Sequence, residues 1–214
     1  MSNKLHYNVI NDLLLQVLKD LMANPIFDSF RLVGGTALSL FIGHRESVDI
    51  DLFSDADYGS IDFKAIDIFL KNNYSFYQSN DFQAIGMGKS YLIGDNKDQC
   101  IKLDLYYTDP FFDDIVLIDN IRIASVEEII AMKIDVIQRT GRKKDFWDLH
   151  ELMENYSFEK MLFLHEKRYP YNHKPDLIKH NFTQFSEADD DFDPICLKGK
   201  FWEIIKLDMI DFIS

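Results

Sequence analysis

The spacing of apolar side chains along the chain predicts a mixture of helices and strands. Apolar residues recur every three or four positions over residues 7–23, which predicts an amphipathic helix that ends at Asn24 and Pro25. Apolar and polar residues alternate over 48–53 and 101–106, and this period of two predicts strands with one covered face. The same criteria predict strands over 30–33, 74–78 and 82–87, a helix over 36–42 closed by Gly43, and a helix over 61–71 capped by Ser60.

Helices dominate the predicted structure of the last part of the chain. A hairpin is predicted around the turn residues Asp119 and Asn120. Ser125 and Glu128 then predict a capping box at the start of a long helix. The remaining predicted elements are a helix over 145–154, further helical segments, and an acidic loop over 187–193.

Composition narrows the class of protein. The 214-residue chain has no apolar run of the roughly 18 to 20 residues that a membrane span requires, and its first residues lack a secretory pattern. We therefore expect a cytoplasmic protein with no membrane partner. The formal net charge of −13 argues against general nucleic-acid binding, because a phosphate backbone is held mainly by Lys and Arg. A local basic cluster remains, formed by Arg139, Arg142, Lys143 and Lys144.

The alternating strands carry acidic residues on one face. Asp49 and Asp51 point to the same side of their strand, with Cα atoms about 7 Å apart, so both can reach one hard cation such as Mg²⁺. Asp104 occupies the equivalent face of the second strand. Three carboxylates on one sheet face can hold two metal ions. Taken alone, the Asp49 and Asp51 pattern is more typical of the solvent face of an antiparallel strand, so the hypothesis needs further support.

That support comes from the segment before the acidic strand. Gly34 and Gly35 allow a phosphate to approach the backbone, and the helix that begins near Thr36 offers free N–H groups. Ser47 lies two residues before Asp49 and could bond a phosphate oxygen or a metal-bound water. A Gly-Gly pair alone usually marks a turn, but a strand, Gly-Gly-Thr, a short helix and an Asp-x-Asp strand in this order are far more specific.

Three segments together resemble a known enzyme family: FRLVGGTALSLFIGHRESVDIDLFS, KLDLYY and AMKIDVIQRTGRKKDFWDLHEL. They look like the AbiEii/AbiGii toxin-type branch of the DNA polymerase β nucleotidyltransferase superfamily, and the similarity covers about residues 30–152. The resemblance implies an α+β fold, in which a mixed-sheet nucleotidyltransferase core is flanked by helices and followed by a helical C-terminal lobe. We accordingly expect the core over residues 1–124 and, over 125–214, a lobe that completes the active site.

The resemblance also implies which residues form the site. In the family the Gly-Gly-Thr turn and the Asp-x-Asp strand hold the nucleotide and Mg²⁺, and a later Lys and Asp complete the site. We expect two Mg²⁺ ions and an NTP as the substrate. By matching motifs, the nucleotide is bound by Gly34, Gly35, Thr36, Ser47 and Lys133, the metal by Asp49, Asp51 and Asp104, and catalysis involves these three aspartates with Lys133, Asp145 and Asp148. The assignment of Asp104 rests on the strand pattern rather than on a diagnostic motif.

The charged residues of the third segment are also unusual by their own positions. Lys133 falls within the apolar arc of its predicted helix, where an ammonium needs an anion nearby or a solvated tip. We expect it to neutralise nucleotide phosphates. Asp145 lies within the apolar stripe of the next helix, and Asp148 lies at the margin of that stripe. We expect these aspartates to orient Lys133 or Arg142, or to read the base. Asp145 could instead cap its helix. His44 and Arg45 are typical of a charged turn, with phosphate contact as the alternative.

These observations predict an enzyme that transfers a nucleoside monophosphate from an NTP to an acceptor hydroxyl, aided by Mg²⁺. The resemblance implies that the acceptor is a tRNA or other RNA 3′ end and that the protein is the toxin of a toxin–antitoxin pair, with an antitoxin as partner. An aminoglycoside-type nucleotidyltransferase is the first alternative, because an acidic protein suits a cationic acceptor. A nucleotide-binding module without catalysis is the second.

Overall fold

The computed structural model describes residues 4–79 and 86–213, and within them seven strands form one mixed sheet. The order across the sheet is β3-β4-β5-β2-β1-β7-β6. The pairs β2–β5 and β1–β7 are parallel, and the other neighbours are antiparallel. The strands are β1 (Arg31–Leu32), β2 (Asp49–Ser54), β3 (Phe76–Ser79), β4 (Gly88–Asn96), β5 (Gln99–Tyr107), β6 (Val116–Ile118) and β7 (Ile121–Ile123).

Eight α-helices accompany the sheet in the described part of the chain, and the last five follow the last strand. None of these helices is long and apolar enough to span a bilayer. The mixed sheet and these helices confirm the α+β fold predicted from the sequence. The helices are α1 (Asp12–Ala23), α2 (Gly34–Ile42), α3 (Phe63–Asn73), α4 (Val126–Arg139), α5 (Lys143–Leu152), α6 (Phe158–Arg168), α7 (Pro175–Asn181) and α8 (Trp202–Phe212).

Apolar side chains of β2 and β5 form the centre of the core. Ile50, Leu52, Leu103 and Leu105 are fully buried, and α1 packs against both strands and against β7. Each such side chain contributes about 1.5–3 kcal/mol when it is removed from water. Because side chains alternate along a strand, burial of this apolar set places the acidic residues of β2 and β5 on the opposite face, toward α5.

Four predicted helix starts are wrong. Two of these helices, α2 and α5, begin two residues earlier than predicted, at Gly34 and Lys143. Residues 7–9 form a separate 3₁₀ turn, and α1 begins only at Asp12, because the Asn11 side chain caps it by accepting the Leu14 N–H at 2.8 Å. Ser60 does not cap α3. Asp62 does so, since its carboxylate accepts the N–H groups of the second and third helical residues.

The predicted hairpin is confirmed, and its turn residues Asp119 and Asn120 both have positive φ, as a two-residue hairpin turn requires. The predicted capping box is only half formed. Ser125 accepts the Glu128 N–H at 3.1 Å, but the Glu128 carboxylate instead binds the Arg168 guanidinium. The strand predicted over 82–87 lies mostly outside the described residues, and β4, which follows it, was not predicted.

Candidate active site

Three aspartates lie side by side on neighbouring parallel strands. In the β2–β5 pairing, Asp51 is directly opposite Asp104, and Asp49 is opposite Lys102. Directly paired strands are about 4.8 Å apart, so the Asp51 and Asp104 carboxylates share one small region. The structure thus brings together the three carboxylates that the sequence predicts to bind metal.

The electrostatics of this row suit a bound cation. Burial, with added repulsion from Asp104 and Asp49, raises the pKa of Asp51 to about 6. Asp104 has one oxygen held by Lys102 at 2.5 Å, while its buried Oδ1 has no hydrogen-bond partner. A divalent cation would reduce the repulsion between the carboxylates and would give the Asp104 Oδ1 atom a partner. These oxygen donors therefore fit a hard metal ion. As arranged, however, no group of three or more His, Cys, Asp or Glu side chains among residues 4–79 and 86–213 forms a ready-made metal site.

The raised pKa of Asp51 predicts a pH-dependent gain in stability for Asp51→Asn in metal-free buffer. The pKa of this carboxyl group is about 6 in the folded protein, against the ordinary value of 3.8 expected for the unfolded chain. Its contribution to stability is therefore fully present below pH 3.8 and is lost as the pH rises through about 6. Part of this change lies below pH 4, so the variant is expected to gain about 2.5 kcal/mol relative to the wild type as the pH is raised from 4 to 7. Urea unfolding at both pH values measures this gain. The control Asp57→Asn, at an exposed position, should show no such gain in stability. Equal pH profiles for Asp51→Asn and the wild type would contradict the prediction.

Two glycines bring the first turn of α2 into contact with charged groups of the site. Gly34 has a φ of +70°, and a Cβ there would lie 2.6 Å from Asp51 Oδ2. A Cβ on Gly35 would lie 2.3 Å from Arg45 Nη2. Both positions therefore require glycine for close approach, and Gly34 requires it for its backbone conformation as well.

Thr36 and Ser47 connect α2 to the start of β2. Thr36 Oγ1 donates to the Asp49 carbonyl at 2.5 Å, because a carbonyl can only accept. Ser47 Oγ must therefore donate its single hydrogen to Thr36 Oγ1, at 2.7 Å. These bonds position the backbone of Asp49, and the Ser47 hydroxyl keeps lone pairs but no free proton for a ligand.

Asp148 is the centre of a buried ionic network. Its two oxygens accept from His44 at 2.7 Å, from Lys133 at 2.7 Å, and from two nitrogens of Arg45 at 2.6 and 2.9 Å. Lys133 also binds Asp145 at 2.6 Å, and Asp145 accepts the backbone N–H of Arg142, the residue that precedes α5. The anion beside Lys133 is thus a pair of protein carboxylates, and Asp145 both orients Lys133 and caps its helix.

Charge is balanced within this network. Burial opposes ionisation of Asp148, but Lys133 and Arg45 hold its pKa well below the usual range. Burial also favours the neutral amine of Lys133, and Asp145 and Asp148 outweigh it, so the pKa of Lys133 is raised. Burial lowers the pKa of His44, which leaves that ring neutral at pH 7. Two cations therefore face two carboxylates.

Two sequence interpretations of basic residues are wrong. His44 and Arg45 are not a solvated turn, because both are buried and bound to Asp148. Lys143 is not part of an open basic cluster either. Its side chain is buried against the 189–193 segment, where its ammonium binds the Asp191 carbonyl at 2.5 Å and the Asp193 carboxylate at 3.0 Å.

Lys144 is a site residue that sequence analysis assigned only to the basic surface. Its ammonium lies 3.8 Å from Asp49 Oδ2. Burial, and then the positive charges of Arg142 and Lys133, lower the pKa of Lys144. An anion at this position would relieve that repulsion. The position of Lys144, in the first turn of a helix that also carries Asp145 and Asp148, is the signal that could have identified it.

Two cavities meet at Arg142 and Lys144, which line both of them. The first cavity, ≈ 260 Å³, reaches Asp49, and the second, ≈ 220 Å³, reaches Asp51. Asp49 and Asp51 thus lie at two cavities that have two cations in common, the exposed Arg142 and the half-buried Lys144. The first cavity is also lined by Arg45, Ser47, Val48, Asp191, Phe192 and Pro194. The second cavity is also lined by Val33, Gly34, Gly35, Phe53, Met132, Lys133, Val136 and Asp145.

Solved structures share this fold. A candidate nucleotidyltransferase from H. pylori matches with a TM-score of 0.55 and 21% identity, over 92% of this chain and 91% of its own. The Helicobacter pylori protein JHP933 gives the same TM-score and identity over 92% and 88%. MenT4, a nucleotidyltransferase toxin from Mycobacterium tuberculosis, matches with a TM-score of 0.53 and 13% identity, over 94% and 82%.

Sequence comparison supplies the family. No individually curated protein matches the chain significantly. The family model described as "Nucleotidyl transferase AbiEii toxin, Type IV TA system" matches residues 16–199, which include the three aspartates, both glycines and the whole Asp148 network. With most of its length matched, the chain belongs to the AbiEii family of nucleotidyltransferase toxins.

Proposed function

We propose that this protein transfers a nucleoside monophosphate from an NTP to a hydroxyl group at an RNA 3′ end, tRNA being the expected acceptor, with Mg²⁺ as the cofactor. In this reaction the acceptor hydroxyl releases its proton to water and its oxygen forms a bond to the α-phosphorus, while the bond from this phosphorus to the oxygen that bridges to the β-phosphate breaks and pyrophosphate leaves. The observation that carries the proposal is the row of Asp49, Asp51 and Asp104 beside two cavities that are both lined by Arg142 and Lys144.

Asp49, Asp51 and Asp104 would hold the divalent cations. Bound Mg²⁺ would supply positive charge at the phosphates and increase the nucleophilicity of the acceptor hydroxyl. Three carboxylates are enough to hold two ions. Binding of these ions would be favoured because it removes the repulsion that raises the pKa of Asp51. Catalysis then consists mainly of positioning and charge neutralisation.

The remaining predicted residues would position the nucleotide. Gly34 and Gly35 leave the first turn of α2 open, so that phosphate oxygens can approach its N–H groups. Lys133 would contribute positive charge from within its pair with Asp145, which makes it a weaker phosphate ligand than the sequence suggests. Lys144 is less neutralised, and the proposal therefore assigns the main phosphate contact to it.

Transfer is tested directly by incubating the protein with each α-labelled NTP, Mg²⁺ and total RNA. Labelled RNA that retains the nucleotide at its 3′ end is the expected product. Parallel reactions with an aminoglycoside examine the small-molecule alternative, which the net charge of −13 favours. Labelling of the aminoglycoside alone would reject the RNA acceptor. No labelling with any acceptor, together with NTP binding, would support a non-catalytic module.

Arg142 and Lys144 line both cavities, so they are expected to contact the acceptor RNA as well as the phosphates of the NTP, whereas Lys143 is buried. Replacing both with Gln should weaken RNA binding and reduce its dependence on salt. Each phosphate contact to a single strand contributes about 0.7 to the slope of log K against log salt, so the slope should fall by about 1.4. Filter binding across a salt series provides the measurement.

Lys160→Gln with Lys179→Gln is the matched control, because it removes two exposed positive charges that line neither cavity. This control should retain the slope of the wild type. An unchanged slope in the Arg142 and Lys144 variant would remove these residues from the RNA contact.

The family also implies an antitoxin, and we propose that the protein acts as the toxin of such a pair. Expression from an inducible promoter should arrest growth, and Asp49→Asn should abolish the arrest. Growth that stops equally with the variant would separate toxicity from nucleotide transfer.

A further inference from the structure

One aromatic side chain at the first cavity has no structural role in the core. Phe192 is 99% exposed, although it lines the cavity that reaches Asp49. Val48, which is 61% exposed, and Pro194 line the same cavity. A phenylalanine that is fully exposed to water gains nothing from burial in the folded chain, so its apolar faces are available to a ligand. The cavity therefore combines apolar surfaces with the cations Arg142 and Lys144.

The chain around Phe192 is held in place by Lys143. The Lys143 backbone N–H donates to Asp191 Oδ2 at 3.0 Å, and its ammonium contacts the carbonyl of Asp191 and the carboxylate of Asp193. Phe192 thus lies between two residues that are both bound to one buried lysine. Its ring is presented at the cavity by a fixed backbone, which lowers the entropy cost of stacking on a flat ligand.

Part of the negative charge beside Phe192 is balanced by two lysines, Lys143 and Lys206. Asp189 accepts from Trp202 at 2.6 Å and from Lys206 at 2.9 Å. Asp191 and Asp193 are both bound to Lys143. These contacts reduce the repulsion that the acidic run would otherwise exert on a phosphorylated ligand.

We propose that Phe192 stacks on the base of the incoming NTP, while Lys144 and Arg142 contact its phosphates. This inference rests on the proposed function. An aromatic face, the exposed Arg142, the half-buried Lys144 and the carboxylate of Asp49 line one cavity, which matches the base, the phosphates and the metal of a bound nucleotide. Since every base has a π-face, this contact binds all four nucleotides and adds affinity rather than strict base selection.

The test is equilibrium binding of each NTP in Mg²⁺ without any acceptor, measured by calorimetry. Phe192→Ala should weaken NTP binding roughly tenfold, toward the lower end of the effect of losing one base–aromatic stack. Inorganic tripolyphosphate, which has no base, should bind the variant and the wild type equally. Phe192→Trp should retain NTP affinity, and its indole fluorescence should be quenched when NTP binds.

The matched control is Phe163→Ala, which removes an exposed phenylalanine on α6 that lines neither cavity. It should leave NTP affinity unchanged. Equal NTP affinity for Phe192→Ala and the wild type overturns the inference and leaves the proposed function standing. An increase in the KM for RNA alone would assign the ring to the acceptor and also overturn it. If the wild type binds no NTP, both the proposed function and this inference fail.

Discussion

Replacing Asp49 with asparagine is expected to lower the rate of nucleotide transfer by roughly a thousandfold or more while the protein stays folded. The loss follows because the variant keeps the shape of the side chain but removes one of the negative charges that would hold the divalent cation. The fold should persist because the hydrogen bond from Thr36 goes to the backbone carbonyl of Asp49, which the substitution leaves in place. The side chain itself contacts only Lys144, at 3.8 Å, in the described ion pairs.

Single-turnover transfer with an α-labelled NTP measures the rate, and circular dichroism measures the fold. Asp57→Asn provides a control for the amide substitution at an exposed position. Transfer at the wild-type rate by the Asp49 variant would rule out its role in metal binding. A second readout is Mg²⁺-dependent thermal stabilisation, which should be present in the wild type and reduced in the variant.

Lys133→Met is expected to destabilise the protein by about 3–5 kcal/mol, the usual cost of removing one partner from a buried ion pair. Methionine retains much of the side-chain volume, so loss of packing is a minor contribution. The substitution leaves the buried Asp148 paired with Arg45, and the buried Asp145 with only the exposed Arg142, 3.9 Å away. Urea unfolding at pH 7 gives the change in the free energy of unfolding.

A second substitution separates charge from packing. Adding Asp145→Asn to Lys133→Met removes one uncompensated carboxylate, so the double variant should be more stable than the single one. Arg139→Met, on the exposed end of the same helix, should change stability by less than about 1 kcal/mol. If Lys133→Met is as stable as the wild type, the network does not contribute to folding as described, and the lysine serves the ligand alone.

Features set by neighbouring residues could be predicted from the sequence. The turn at Asp119 and Asn120 follows from the preference of these residues for positive φ. The shared face of Asp49 and Asp51 follows from the period of two in a strand. Local competition explains the errors at helix starts, since Asp62 outcompetes Ser60 as the cap of α3.

Features set by distant residues could not be predicted in the same way. Asp148 meets His44 and Arg45 across more than a hundred positions of sequence. Lys143 binds Asp191 and Asp193, which lie about fifty residues later in the sequence. A single sequence contains no signal of these distances. It therefore indicated that Asp145 and Asp148 could orient Lys133, but not that His44 and Arg45 join the same network.

The division of the chain into residues 1–124 and 125–214 remains a proposal, and the Asp148 network has a consequence for it. His44 and Arg45 belong to the first segment, whereas Lys133 and Asp148 belong to the second. A cut between the segments would leave a buried arginine without its carboxylate on one side and remove two of the donors to Asp148 on the other. We therefore expect the two parts to unfold in one cooperative transition, and neither fragment to form a stable monomer when expressed alone.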